Sequence, residues 1–262
     1  MDKQDLLDIN HHSHIIIAGR GHEAKKEKGV SVTNEFTSEL LSELNCDTAF
    51  TIPVFGGIAV PESVVVTWII MAALILISIV LTRNLSVENP GKRQLVLETG
   101  YQMAEDFFGE LLGKNGSRYL PYLISVLIFI AVANLIGLLG FKPPTKDMGV
   151  TAGMAILSII IVEFAGIRQK GVKKWMKSFA EPLPVVAPIN LLEVFTRPLS
   201  LCMRLFGNVL GSFVVMELLK LVVPVFLPAV FSCYFDIFDG LIQAFVFVFL
   251  TSLYIGEAVE TE

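Results

Sequence analysis

Hydrophobic and polar positions in this chain separate into long blocks rather than alternating at the two-residue period of a surface strand. Residues 1–49 are polar, with nine acids and five bases, and their longest apolar stretch covers only residues 15–18. That stretch is far too short for a signal-peptide core, so no cleaved leader is expected. Charge-free runs follow at 63–82, 119–141 and 148–162, of 20, 23 and 15 residues. At about 1.5 Å per helical residue the first two cross roughly 30 Å of hydrocarbon, and the third does so if it continues past Glu163 to Ile167. Two longer stretches, 188–223 and 228–258, exceed what a perpendicular span needs, and strong tilting accounts for the excess. The pattern predicts an all-α membrane protein of about five to six helices, ending in a long, strongly tilted helical hairpin. Residues 1–55 are expected as a polar tail outside the membrane and residues 56–262 as the integral membrane domain.

Composition agrees with the pattern. The 262 residues are 53% hydrophobic and 17% charged, with mean hydropathy +0.66. Soluble domains carry about 45–50% apolar and about 25% charged residues. The net charge of −5 resides in the tail and loops, and nothing supports nucleic-acid binding. Arg83, Lys92, Arg93, Lys114 and Arg118 follow the first span, and Arg168, Lys170, Lys173, Lys174 and Lys177 follow the third. Both segments are expected on the cytoplasmic side, with the tail and the 142–147 loop outside. Residues 92–113 mix charged and apolar positions at helical spacing, which fits either an interfacial helix or a linker helix packed on protein. Cys46, Cys202 and Cys233 are widely spaced, and the last two sit in apolar runs as small hydrophobes. His11, His12, His14 and His22 lie close together in the tail, but no acid or cysteine completes a closed metal site with them, so no metal and no cofactor is expected.

One residue breaks the apolar pattern of the hairpin. Arg204 is the only charge in the nineteen residues 198–216. A guanidinium at mid-bilayer costs from about 3 to more than about 10 kcal/mol, so it faces a cavity, a partner helix or an ion path. Because arginine keeps its proton, it suits a fixed charge beside a titrating partner rather than a proton relay. Ser200, Asn208 and Gly211 fall on the same helix face, and Gly207 with Gly211 gives the small-x-x-x-small spacing of close membrane helix contacts. On the last stretch, a count of about 100° per residue from Asp236 brings Asp239, Gln243, Tyr254 and Glu257 into one polar sector. The plain alternatives are a solvated first turn for Asp236 and Asp239, and a structural interhelical hydrogen bond for Gln243.

The residues of this region resemble a known family. Pro188 to Glu193 (PINLLE), Arg197 to Leu201 (RPLSL) and Arg204 to Asn208 (RLFGN) are similar to the signature of subunit a of F-type ATP synthases. The likeness extends to Leu241-Ile242-Gln243-Ala244-Phe245 and Tyr254-Ile255-Gly256-Glu257, to Asn134 through Leu138, to Pro144 through Asp147 with Thr151, and to Thr82-Arg83-Asn84 with Pro90, Gly91 and Gln94.

The resemblance implies a stator whose two offset half-channels load and unload ions on carboxylates of a rotor ring, the subunit c oligomer. Arg204 would be the essential fixed charge, with Asn208 and Gln243 beside it. Tyr254 and Glu257 belong to the closing helix, and Glu193, Glu163 and Glu181 are weaker candidates for the cytoplasmic exit, Glu193 with an equally good structural role. Implied partners are the rotor ring, the peripheral-stalk subunit b, the remainder of the F-type ATP synthase and the lipid bilayer. The chain itself needs no nucleotide site, and the implied location is a bacterial plasma membrane, crossed several times. One position departs from the family pattern: many relatives carry an acid five residues after the asparagine of RLFGN, where this chain has Phe213. Asp236, with Asp239 near it, is expected to supply the outer carboxylate instead. The rival reading, a self-contained secondary ion transporter or channel, predicts internal repeats, and the RLFGN block is not repeated.

Overall fold

Long apolar runs without glycine or proline clusters form helices wherever lipid leaves the backbone no other hydrogen-bond partner. The computed structural model describes residues 48–52, 58–83, 85–86, 90–139, 143–178, 185, 187–222, 231 and 233–260. The polar tail through residue 47, its four histidines and Glu181 lie outside them. Seven α-helices occur among the described residues: α1 (Glu62–Thr82), α2 (Lys92–Gly116), α3 (Leu120–Leu135), α4 (Met148–Lys170), α5 (Val172–Ser178), α6 (Ala187–Val222) and α7 (Gly240–Val259). Five helical segments are long and apolar enough to cross a membrane: those of α1, α3, α4, α6 and α7. The all-α membrane class is therefore observed, with two further helices, α2 and α5, outside the set that is long and apolar enough to cross.

Three features refine the sequence reading. Strands β1 (Thr48–Ile52) and β2 (Ile58–Pro61) pair antiparallel just before α1, an element that hydropathy blocks do not signal. The third span runs on through Glu163 to Lys170, because Glu163 Oε2 accepts a hydrogen bond from Trp175 Nε1 at 3.0 Å instead of ending the helix. Residues Tyr234–Asp239 form a π-helical turn ahead of α7. A π turn advances less per residue than an α-helix, so the polar stripe counted from Asp236 does not run unbroken into Gln243.

Helix α7 is the centre of the bundle and packs against α2, α3 and α4. Ala244, Phe247, Val248, Thr251, Ser252, Ile255 and Val259 recur at spacings of three and four and are all buried. The hydroxyls of Thr251 and Ser252 donate to carbonyls of their own helix, at Phe247 and Phe249, so this face is apolar to its neighbours. Of the two placements open for residues 92–113, packing on protein is found for the second half of α2. Phe108 and Leu112 are buried there, and the Phe107 ring meets those of Phe245 and Phe249 in tilted contacts with centroids 5.4 and 6.2 Å apart. Gly113 (φ 62°, ψ 179°) interrupts the helix directly afterwards. The two helices approach so closely at Gly256 that a Cβ there would lie 2.2 Å from the Leu111 carbonyl oxygen.

Helix α6 contains 36 residues, about 54 Å of helix against roughly 30 Å of hydrocarbon, a length that tilting accommodates. Pro198 lies inside it and removes one hydrogen bond of the helical ladder. Its buried face, Leu201, Cys202 and Leu205, is directed at the core and packs on α4.

Candidate functional site

Helix α6 buries part of its apolar surface and leaves its small polar positions exposed, together with large apolar side chains such as Leu199 and Met203. Ser200, Arg204, Gly207 and Gly211 are all exposed, whereas Leu201, Cys202 and Leu205 are buried. A Cβ built on Gly207 or Gly211 would meet nothing within 4 Å. Arg204 makes no hydrogen bond or ion pair among the described residues. A fixed guanidinium thus stands on an unoccupied stripe of small residues, shaped for close approach of another helix.

One helical turn on, Asn208 faces inward. Its Nδ2 donates to Gln243 Oε1 at 3.4 Å, joining α6 to α7. Gln243 is 6% exposed, and its buried Nε2 finds no acceptor among the described residues. The pair is therefore a partly buried polar tie, with one buried donor of Gln243 left over among the described residues, one turn from Arg204.

Further toward the basic end of the hairpin, three of the candidate residues gather on an arginine that the sequence reading had only as part of a motif. Arg197 Nη2 lies 3.0 Å from Glu257 Oε2 and 3.3 Å from Glu193 Oε2, and the guanidinium sits 4.8 Å from the centre of the Tyr254 ring. Its side chain is 15% exposed, against 54% for Glu193 and 62% for Glu257. The two carboxylates are therefore exposed on the chain's surface while the guanidinium they serve is largely buried. A numerical signal was available: eleven residues separate Arg197 from Asn208 on α6, and eleven separate Gln243 from Tyr254 on α7. Two contacts with equal spacing on antiparallel helices belong to one register.

The opposite end of the bundle is held by a separate polar network. Asn134 Nδ2 donates to the Gly240 carbonyl at 2.9 Å, and Thr145 Oγ1 donates to Asn134 Oδ1 at 2.8 Å, all three residues being buried. Asp147 caps α4 by accepting from the Gly149 amide at 2.7 Å, and Ser63 of α1 donates to its other oxygen. At Phe213, where the family pattern carries an acid, the Lys146 ammonium lies 4.0 Å from the ring centre, a cation–π contact. Asp239 precedes α7 without making a side-chain cap. Asp236 lies in the π turn, and its side chain is outside the described residues. Glu163 is engaged by Trp175, and among the described residues no three His, Cys, Asp or Glu side chains are grouped to hold a metal ion.

Comparison with known proteins bears on the same region. The profile of the family described as ATP synthase A chain matches residues 64–256. The ATP synthase subunit a of Moorella thermoacetica is 40% identical over 205 residues, covering 78% of this chain and 93% of that one. The sodium ion specific ATP synthase subunit a of Propionigenium modestum is 34% identical over 219 residues, covering 78% and 75%. The ATP synthase subunit a 2 of a Bradyrhizobium strain is 37% identical over 209 residues, covering 78% and 91%. With its arginine-bearing hairpin inside the matched stretch, the chain belongs to the ATP synthase A chain family.

Proposed function

We propose that this chain is the stator that carries ions to and from the carboxylates of a rotor ring through two offset half-channels, with Arg204 as the fixed charge between them. As a member of its family it is an ion-translocating membrane subunit of an F-type ATP synthase and not itself the catalyst of phosphorylation. The family assignment removes the ground for a self-contained transporter. The observation that supports the finer reading is Arg204, exposed and without an ion-pair partner among the described residues, beside exposed glycine and serine positions. A deprotonated carboxylate passing that face would be attracted at low dielectric, which favours release of its ion and bars direct leakage past the arginine.

Polar groups at both ends of the hairpin support two separate points of access. Glu193, Tyr254 and Glu257 stand at the basic, cytoplasmic end, and Asp236 and Asp239 belong to the turn at the other. Asn208 and Gln243 lie between them and hold the helices together beside Arg204. We place the rotor ring against the Arg204 face and the stalk subunit b elsewhere on the chain, in a bacterial plasma membrane. Each charge crossing 100 mV releases about 2.3 kcal/mol, so several must pass for each nucleotide made.

The reading is tested by ATP synthesis driven by an imposed ion gradient in vesicles holding the native complex or the Arg204→Ala variant. Synthesis should fall at least about tenfold with the ring still recovered by pull-down, about 1.4 kcal/mol or more of lost coupling. Full synthesis would show that Arg204 is structural.

A further inference from the structure

Helices α6 and α7 each pack broadly on α4 but meet one another over a much smaller contact. Few direct apolar contacts therefore join the two helices, and the polar ties across the seam are the specific contacts that bear directly on how far one slides along the other. There is Asn208 to Gln243, and there is the cluster on Arg197. The two ties stand eleven residues apart on α6, and eleven to Tyr254 or fourteen to Glu257 on α7, about 16 to 21 Å along the seam.

We propose that Arg197 is a positioning residue for ion transfer: a second guanidinium that sets the register of α7 on α6, and with it the placement of Gln243 beside Arg204. Its importance for ion transfer rests on the function proposed above; its effect on register does not. Seven residues separate Arg197 from Arg204, two turns of helix, so the two guanidiniums lie on nearly the same face. They are used differently. Arg204 is exposed and has no ion-pair partner among the described residues, whereas Arg197 is held by Glu257 across the seam and Glu193 on its own helix, and is covered by the Tyr254 ring. Pro198 follows it directly and loosens α6 at this point, where a brace from α7 has most effect. Arginine suits the task because one planar fork can serve two carboxylates while its face rests on a ring.

The contact to Glu257 crosses between helices and the contact to Glu193 does not, which makes the inference separable by experiment. Spin labels are placed at Leu199→Cys on α6 and Leu253→Cys on α7 of the complete synthase, in a background with the native cysteines replaced, and the distance between them is measured by pulsed electron resonance. A slip of one turn moves the helices by about 5 Å. Glu257→Gln and Arg197→Met are expected to shift or broaden the distance toward that value and to lower gradient-driven synthesis several-fold. Glu193→Gln should leave the distance as it is. Exchanging the charges, Arg197→Glu with Glu257→Arg, should restore the native distance and part of the synthesis. An unchanged distance in both Glu257→Gln and Arg197→Met overturns the inference, as does a shift that the exchange fails to reverse. If Arg204→Ala retains full synthesis, the stator reading fails, while the distance series still decides the role of Arg197 in register.

Discussion

Replacing Gly256 by alanine tests how closely α2 and α7 are packed. The added Cβ would lie 2.2 Å from the Leu111 carbonyl oxygen and 3.3 Å from the Leu111 carbonyl carbon. An ordinary carbon–oxygen contact needs about 3.3 Å, so the helices must part by about 1 Å. A gap of that size forfeits about a quarter to a half of the dispersion energy across a contact. The rings affected are Phe107 against Phe245 and Phe249, and Phe108 against Phe245 at 6.4 Å. Overpacking of this kind costs typically about 1–3 kcal/mol. Gly166→Ala supplies the control, since its Cβ would find Trp175 and Ala258 atoms at 3.4 to 3.5 Å, ordinary contact distances. The assay is the denaturant midpoint of the purified complex, with the amount of assembled complex in membranes as a second readout. Gly256→Ala should lose about 1–3 kcal/mol and Gly166→Ala less than about 0.5. Equal stability of the two variants would refute the close approach.

Other variants address the polar groups. Asn208→Ala leaves the buried Gln243 amide without its partner and should destabilise the complex by about 1–3 kcal/mol, whereas Asn208→Ala combined with Gln243→Met removes both polar groups and should recover part of that loss in the same denaturation assay. Asp236→Leu should impair gradient-driven synthesis while assembly is retained. Phe213→Glu in that background places an acid beside the Lys146 ammonium and should restore part of the rate; normal synthesis by Asp236→Leu alone would remove Asp236 from the ion path.

The spans were legible because an apolar run long enough to cross lipid has little choice but helix, and Arg204 was legible because its cost there demands a reason. Contacts between distant residues were not. Whether the third span continues past Glu163 stays open in the sequence, and the Trp175 partner of its carboxylate is seen only in the fold. Phe107 and Phe108 fit a membrane interface as well as a protein contact until Phe245 and Phe249 face them. The π turn at Tyr234–Asp239 left no mark in the periodicity, and the uniform helical count from Asp236 ran straight through it. Arg197 escaped notice as a site residue because charged residues on both sides of it, Glu193 and Glu257, looked like independent candidates. Their common partner became visible only when the antiparallel register put Tyr254 and Glu257 against it.

The central claim is that the exposed face of Arg204, Gly207 and Gly211 lies against the rotor. Disulfide cross-linking in the intact complex tests it most directly. The native cysteines are replaced, one cysteine is set at Gly207 or Gly211, and its partner is set on the rotor helix one turn from the ring carboxylate. Both positions should cross-link to the rotor on oxidation, while a cysteine at Ile160, exposed on α4, should not. Cross-linking from Ile160 with none from Gly207 or Gly211 would contradict the account.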